Sequence, residues 1–222
     1  MTADDREGAL AAHGIAVSAC VSCRLCESRS QVVAGVGLPS AEVMLVGEAP
    51  GFHEDRTGLP FAGREADLVD RLLALAGLER GQVYCTTVVK CRPAGSGEPT
   101  AEEISACEPH LYRELELVRP RVVVTLGTLP TRLLTGRSQT VADVRGEPQR
   151  HVIAGRELTV LPVYRPAAAR YAPERAAELE ADFGGIPGLL GRDRLAVAGL
   201  AEQQPVPVAV APAPPGEQLG LF

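Results

Sequence analysis

The sequence predicts an α/β domain in which a parallel sheet is covered by helices on both sides. Short apolar runs alternate with helical patterns along the chain. These runs are nearly continuous, which is typical of strands buried on both faces. A length of 222 residues with 45% hydrophobic content fits a single domain followed by a tail. We assign the domain to residues 1–190, a linker to 191–217 and a terminal peptide to 218–222.

Four strands and four helices account for this pattern. The strands are predicted over residues 43–46, 83–89, 122–126 and 158–163. The helices are predicted over residues 64–76, 100–118, 129–134 and 167–183. Gly77 follows the first helix as a C-cap, and Thr100 forms a capping box with Glu103 at the start of the second.

A loop with the character of a binding site follows each predicted strand. The four loops are Gly47-Glu48-Ala49-Pro50-Gly51, Lys90-Cys91-Arg92-Pro93, Gly127-Thr128 and Tyr164-Arg165-Pro166. Because the carboxyl ends of parallel strands meet at one edge of the sheet, we expect these loops to form a single pocket.

Four cysteines have the spacing of a metal centre. Cys20 and Cys23 form a Cys-x2-Cys pair, a pattern that zinc sites and redox motifs also use. Cys91 follows a predicted strand and Cys107 lies in a predicted helix. The four thiols would therefore clamp the N-terminal arm onto the domain, and we expect them to hold one iron–sulfur cluster, with zinc as the alternative.

The other two cysteines are Cys26 and Cys85. Cys26 is an alternative ligand to Cys20, whereas Cys85 alternates within a predicted strand and is expected to be a small buried apolar residue. A disulfide framework is typical of small secreted domains, so we expect reduced thiols in this chain.

Composition excludes several classes of protein. The net charge of −6 argues against a strongly basic, non-specific nucleic-acid binder, although a local basic groove remains compatible with it. No apolar run approaches the roughly 20 residues of a membrane span, and the N-terminus lacks a basic segment followed by an apolar one. We expect a cytoplasmic monomer with no membrane partner.

The motifs taken together resemble the family-4 uracil-DNA glycosylases. The likeness covers about residues 19–183 and includes Cys20-x2-Cys23, Gly47-Glu48-Ala49-Pro50-Gly51, Glu54-Asp55-x2-Gly58-x-Pro60-Phe61-x-Gly63, Val88-Val89-Lys90-Cys91-Arg92-Pro93, Cys107 and Pro166-Ala167-Ala168. The resemblance implies a three-layer α/β/α fold with four parallel strands and a structural 4Fe-4S cluster. It also implies DNA as the partner and hydrolysis of the N-glycosidic bond of a flipped uracil or other deaminated base.

The resemblance assigns roles to the pocket residues. Phe61 matches the position that stacks on uracil, and Glu48 matches the position tied to ordering or activating the attacking water. Gly47 lies beside Glu48, where the backbone can approach a ligand closely. The alternatives are that Phe61 fills the core and that Glu48 is a helix-start carboxylate bound by backbone amides.

Two positions depart from the family pattern. Thr87 replaces the usual asparagine that recognises the uracil edge, which should weaken discrimination against cytosine. Arg165 replaces the usual histidine, and its permanent charge would stabilise a departing uracil anion. These two departures suggest an alternative function: a catalytically weak or inactive glycosylase-fold module that binds DNA and is recruited to the replication clamp. A cluster that is itself reducible would instead indicate an electron carrier.

The C-terminus resembles the peptide by which bacterial repair proteins bind the sliding clamp. A Pro/Ala-rich stretch that should be extended and disordered ends in Gln218-Leu219-Gly220-Leu221-Phe222. Leu219, Leu221 and Phe222 would fill an apolar pocket while Gln218 makes a polar anchor. Such a tether would raise the local concentration of DNA for an acidic protein.

Overall fold

The computed structural model describes residues 3–170 and 172–191. The predicted linker, apart from Gly191, and the whole predicted clamp-binding peptide at residues 218–222 lie outside the described residues. The described strands are β1 (Val36–Gly37), β2 (Val43–Gly47), β3 (Tyr84–Thr87), β4 (Val122–Leu126), β5 (Gln149–Ile153) and β6 (Arg156–Val163). They form one sheet in the order β1-β3-β2-β4-β6-β5.

The four predicted strands form the parallel centre of this sheet. The pairs β2–β3, β2–β4 and β4–β6 are all parallel, as predicted. The sheet nevertheless has six strands rather than four, because β1 and β5 add antiparallel edges. β1 has only two residues, and β5 is mostly polar and partly exposed, so neither carries the apolar run that revealed the central strands.

Helices cover both faces of the sheet. They are α1 (Ala3–Ser18), α2 (Phe52–Thr57), α3 (Ala66–Leu75), α4 (Ala101–Val118), α5 (Thr128–Thr135), α6 (Val141–Val144), α7 (Pro173–Gly184) and α8 (Ile186–Leu189). The capping box predicted for α4 is present, with Thr100 Oγ1 accepting from the Glu103 amide at 3.3 Å and Glu103 Oε2 accepting from the Thr100 amide at 2.7 Å.

One predicted helix begins later than expected. Residues 166–170 form a 3₁₀ turn, and α7 starts only at Pro173, which occupies a first-turn position. Proline suits the first turn of a helix because it lacks the amide that the helix interior would use. Tyr164 and Arg165 therefore lie in the loop between the end of β6 and this turn.

The sheet separates two apolar layers, which confirms the three-layer α/β/α class. Leu45 and Val124 face the layer that contains Leu72 of α3 and Phe183 of α7. Their neighbours along the strands face the opposite layer, which contains Leu111 and Leu115 of α4. Both faces are buried, and this explains why the strands are continuous apolar runs. Within the described part of the chain, no helix combines the length and apolarity needed to cross a membrane.

Candidate active site and metal centre

A cavity of about 310 Å³ opens at the carboxyl ends of the parallel strands. All five residues that were predicted to form the substrate and catalytic site line it: Gly47, Glu48, Phe61, Thr87 and Arg165. They come from the ends of β2, β3 and β6 and from the loop before α3. The cavity therefore lies where ligands bind in open parallel sheets.

The ring of Phe61 lies directly against Gly47. A Cβ atom at Gly47 would come within 2.9 Å of the ring and 3.3 Å of the Thr87 methyl group, so only glycine permits this packing. Phe61 has a φ of 53°, an unfavourable backbone angle for a bulky side chain. The ring both packs against the core and faces the cavity. Phe61 therefore packs against the core on one side, while its ring remains accessible from the cavity.

Glu54 connects the two loops that form the cavity. Its Oε2 accepts a hydrogen bond from the Gly51 amide at 3.0 Å, and its Oε1 accepts one from the Gly63 amide at 2.8 Å. The first loop carries Glu48 and the second carries Phe61. In the sequence, Glu54 is part of the Glu54-Asp55 motif, which predicts no role for its side chain. A glutamate at the third position of a helix often accepts a hydrogen bond from the backbone amide at the helix start, and this pattern could have predicted the contact of Glu54 with Gly51.

Glu48 is mostly buried, with 15% of its side chain exposed. Burial raises the pKa of this carboxyl above its ordinary value, and the nearby Arg165 guanidinium partly offsets the shift. Arg165 Nη1 lies 3.6 Å from Glu48 Oε2. The helix-start amides that were considered for Glu48 bind Glu54 instead.

Arg165 is positioned by Gly127, the residue after β4. A Cβ atom at Gly127 would lie 2.6 Å from Arg165 Cγ, and Gly127 has a φ of 108°. Both observations require glycine at this position. The aliphatic stem of Arg165 therefore crosses the end of β4, and its charged group reaches the cavity beside Glu48.

The hydroxyl group of Thr87 already has a hydrogen-bond acceptor. Thr87 is buried, and its Oγ1 donates to the Val89 carbonyl oxygen at 2.8 Å. The hydroxyl proton is used in this bond, so Thr87 can offer a ligand only the lone pairs of its oxygen. An asparagine side chain at this position would offer both an acceptor and donors.

Lys90 has a structural role in this geometry. Its side chain is 1% exposed, and its Nζ donates to Glu114 Oε2 at 2.7 Å, to Thr86 Oγ1 at 2.6 Å and to the Thr87 carbonyl at 2.7 Å. A lysine enclosed in this way cannot reach a DNA phosphate. It braces the turn that carries Thr87.

Five of the six cysteines line a second, narrow cavity between the N-terminal arm and the domain. They are Cys20, Cys23, Cys26, Cys91 and Cys107. The sixth, Cys85, is 1% exposed within β3 and packs in the opposite apolar layer, as predicted. The two halves of the predicted ligand set therefore meet in space.

The sulfur atoms in this cavity receive hydrogen bonds from nearby nitrogen atoms. The Lys90 amide donates to Cys107 Sγ at 3.2 Å, and Arg29 Nη1 donates to Cys91 Sγ at 3.4 Å. Such donors stabilise thiolates. Arg29 also donates to the carbonyl of Cys20, so it holds both halves of the site together.

Burial opposes ionisation of the thiols in this cavity. Burial raises the pKa of Cys107 to about 11 and also raises the pKa of Cys91, and the neighbouring Cys23 thiol acts in the same direction on both. Cys20 is a further neighbour that raises the pKa of Cys91. Buried thiols this close together ionise only when a cationic centre compensates their charge. Among residues 3–170 and 172–191, no three metal-binding side chains converge on a point that a single ion would fill.

The fold and the cavity together define a class of protein. The family model for the uracil DNA glycosylase superfamily matches residues 34–183. This match includes every residue that lines the cavity at the carboxyl ends of the strands. The chain belongs to the uracil DNA glycosylase superfamily.

The chain is similar to several type-4 uracil-DNA glycosylases. The chain is 40% identical over 172 residues to the type-4 uracil-DNA glycosylase of Sulfurisphaera tokodaii, covering 75% of this chain and 78% of the relative. It is 38% identical to that of Archaeoglobus fulgidus, covering 79% and 90% of the two chains. It is 38% identical to that of Thermotoga maritima, covering 68% and 78%.

Proposed function

We propose that this protein excises uracil from DNA by hydrolysing the N-glycosidic bond of a flipped deoxyuridine. The observation that carries the proposal is the single cavity in which Phe61, Glu48, Thr87 and Arg165 face one another. An enzyme that acts on a base must hold the extruded ring against an apolar or aromatic face and recognise its edge with hydrogen bonds. The similarity to type-4 uracil-DNA glycosylases supports the same reaction.

In the proposed reaction, water attacks the anomeric carbon of the deoxyribose while the bond to the base nitrogen breaks. The bonding electrons leave with the base as a uracil anion, and Glu48 accepts the proton of the attacking water. Arg165 stabilises the charge that develops on the departing base. The proton then passes to the anion, which gives free uracil and an abasic site.

Recognition of the base rests partly on Thr87. With its proton donated to Val89, the hydroxyl oxygen can accept from the N–H group on the uracil edge. A hydroxyl oxygen that acts only as an acceptor can equally accept a hydrogen bond from the amino group of cytosine. We therefore expect weaker discrimination against cytosine than an asparagine would give.

A base-panel assay tests this function. Purified protein is incubated with oligonucleotides that contain uracil, other deaminated bases or cytosine, and base release is measured under single-turnover conditions. We expect release of uracil by the wild type, and sharper discrimination against cytosine in a Thr87→Asn variant. A Thr87→Asn/Arg165→His double variant is compared alongside.

Thr87 and Arg165 also favour the second candidate, a catalytically weak module that binds DNA. The same assay separates the two functions. If the wild type releases no base from the panel while the double variant releases uracil, the proposed activity is wrong and the second candidate is supported.

The proposal includes a 4Fe-4S cluster bound by Cys20, Cys23, Cys91 and Cys107. The convergence of these thiols, with N–H donors on two of the sulfurs, supports it. Each thiolate would bind a different iron, so the ligands spread more widely than around a single zinc ion. The cluster would brace the N-terminal arm and the Cys91 loop. Brown protein with broad visible absorption is expected, and a colourless zinc protein would contradict the proposal.

The proposal also covers the partners and the location. DNA is the partner, and the peptide formed by Gln218, Leu219, Leu221 and Phe222 would bind a bacterial sliding clamp. Deletion of residues 218–222 should abolish association with the clamp, and unchanged association would contradict this part. Free thiols and a DNA substrate support action in the cytoplasm, and the proposal takes the protein to be a monomer.

A further inference from the structure

Phe52 is an exposed aromatic residue at the mouth of the cavity. It is the first residue of α2, it lines the cavity beside His53, and 53% of it is exposed. The chain has only four phenylalanines, and Phe183 lies fully buried in the core. A single exposed apolar side chain is common on protein surfaces, so the inference depends on the position of Phe52 beside the cavity and on the charged groups around its ring.

Two arginine side chains flank this ring. Arg92 Cζ lies 5.3 Å from the ring centroid and Arg56 Cζ lies 5.7 Å from it, both within cation–π range. The ring of His53 meets Phe52 edge-on at 5.6 Å. We name Phe52, Arg56 and Arg92 the aromatic shelf. It combines a π face with positive charge, the chemistry that binds unpaired nucleotides.

A second cavity extends the base cavity toward this shelf. It has a volume of about 160 Å³ and shares Glu48, Ala49, Gly51 and Arg165 with the base cavity. Its far wall is formed by Arg92 and Pro93. A chain of nucleotides that leaves the base cavity along this groove passes between Arg165 and Arg92.

The charges near the groove favour an anionic ligand. Glu48 lies 3.6 Å from Arg165, and both oxygens of Glu54 accept backbone amide hydrogen bonds. Glu98 lies close enough to Glu48 to raise the pKa of that carboxyl and is a further negative charge nearby. The charged residues that line the groove itself are two arginines, Arg92 and Arg165, and one carboxylate, Glu48, so the lining has a net positive charge in a chain whose net charge is −6.

We propose that the aromatic shelf binds the nucleotide adjacent to the flipped base on the same DNA strand. The base of that nucleotide stacks on Phe52, and the intervening phosphate lies between Arg165 and Arg92. This inference rests on the proposed function, since it takes the cavity to hold a base. It further predicts that the protein uses lesions in unpaired DNA, because a neighbouring base can stack on the shelf only when it is free of its own duplex.

The test places a fluorescent base on the shelf. Single-stranded oligonucleotides carry a tetrahydrofuran abasic analogue with 2-aminopurine on its 5′ side in one set and on its 3′ side in another. Stacking on Phe52 is expected to change the 2-aminopurine fluorescence in one of the two sets. Phe52→Ala should abolish this change and weaken binding about tenfold, whereas Phe52→Tyr should keep both.

Leu59→Ala is the matched control. Leu59 is 50% exposed, close to the exposure of Phe52, but it does not line either cavity. Its loss should leave the fluorescence change and the affinity unaltered. Arg92→Gln should lower the slope of log affinity against log salt by about 0.7, the value for one phosphate on single-stranded DNA.

Two outcomes would overturn the inference. One is a fluorescence change and an affinity that are the same in the wild type and in Phe52→Ala. The other is an equal loss in Phe52→Ala and Leu59→Ala. Neither depends on catalysis, because the abasic analogue is not cleaved. Absence of uracil release in the base-panel assay would instead count against the proposed function.

Discussion

Glu48 shows the conflict between stability and chemistry at the scale of a single residue. Its carboxylate is mostly buried, and burial raises its pKa. The ionised form that would accept a proton is therefore the form that the folded protein disfavours. A group of this kind is expected to reduce stability at neutral pH in return for activity.

We predict that Glu48→Gln lowers the single-turnover rate by about 10²- to 10⁴-fold, the usual contribution of a general base. The same variant should gain stability over the wild type as the pH rises. The pKa of Glu48 is higher in the folded than in the unfolded state, so its contribution to stability is present at low pH and is lost as the pH rises through the folded pKa. Thermal melts at about pH 4 and pH 7.5 measure this, and an equal difference in Tm at both values would contradict it.

The charge of Arg165 lowers the pKa of Glu48, opposing the effect of burial. We predict that Arg165→Gln raises this pKa further, so the acidic limb of the pH–rate profile moves to higher pH. Arg170→Gln is the matched comparison, because Arg170 lines the same cavity but acts on the pKa of Glu65. A larger shift of the acidic limb in Arg170→Gln than in Arg165→Gln would count against the argument.

At the scale of elements, a buried ion pair joins the end of β3 to α4. Lys90 Nζ and Glu114 Oε2 are 2.7 Å apart, and both side chains are 1% exposed. Glu114 also accepts from Thr86 at 2.7 Å and from the Gly35 amide at 3.0 Å. The backbone of Lys90 meanwhile donates to Cys107. Lys90 therefore contacts both the turn that carries Thr87 and the cysteine cavity.

We predict that Lys90→Met lowers the free energy of unfolding by about 3–5 kcal/mol, because it leaves Glu114 charged, buried and unpaired. Adding Glu114→Gln removes that charge but keeps an acceptor for the Gly35 amide, so the double variant should recover most of the loss. Urea denaturation measures both changes. A double variant that is less stable than Lys90→Met would show that the ion pair itself is not the source of the effect.

At the scale of the whole molecule, the cysteine cavity joins distant parts of the chain. Cys20 and Cys23 follow α1, Cys91 follows β3 and Cys107 lies in α4. Arg24 adds an ion pair of 2.7 Å to Glu103, and α1 packs against α4. A metal centre here would fix the N-terminal arm to the domain.

Five cysteines line this cavity. A cluster with four thiolate ligands would use only four of them. Cys20 influences the pKa of Cys91, which favours it over Cys26 as the fourth ligand. We predict that Cys20→Ser lacks the visible absorption expected of the proposed cluster and has a lower Tm than the wild type, whereas Cys26→Ser keeps the absorption and the Tm of the wild type. The reverse result would assign the position to Cys26.

Much of the architecture could be predicted from sequence because it depends on local patterns. Continuous apolar runs marked the four central strands, and the Thr100–Glu103 capping box marked the start of α4. The edge strands β1 and β5 could not be found this way, since their pairing with β3 and β6 decides their structure. Helix α1 was also not predicted, because its sequence has little amphipathic character. Its packing against α4 stabilises the helix in the folded protein.

The sequence alone determined that Gly47, Glu48 and Arg165 meet at the cavity, because the carboxyl ends of parallel strands must share one edge of the sheet, whereas Phe61 was placed there by the family resemblance. The loops Gly127-Thr128 and Lys90-Cys91 were expected in the same pocket but do not line it. Only the tertiary structure decided which hydrogen-bond donors and acceptors of each residue remain free to contact a ligand. Thr87 has already donated its proton to Val89, Lys90 is enclosed by Glu114, and Glu54 rather than Glu48 holds the loop amides. The physical reason is that chain order and residue type set the possible contacts, whereas hydrogen-bond partners and burial depend on side chains brought together from distant segments.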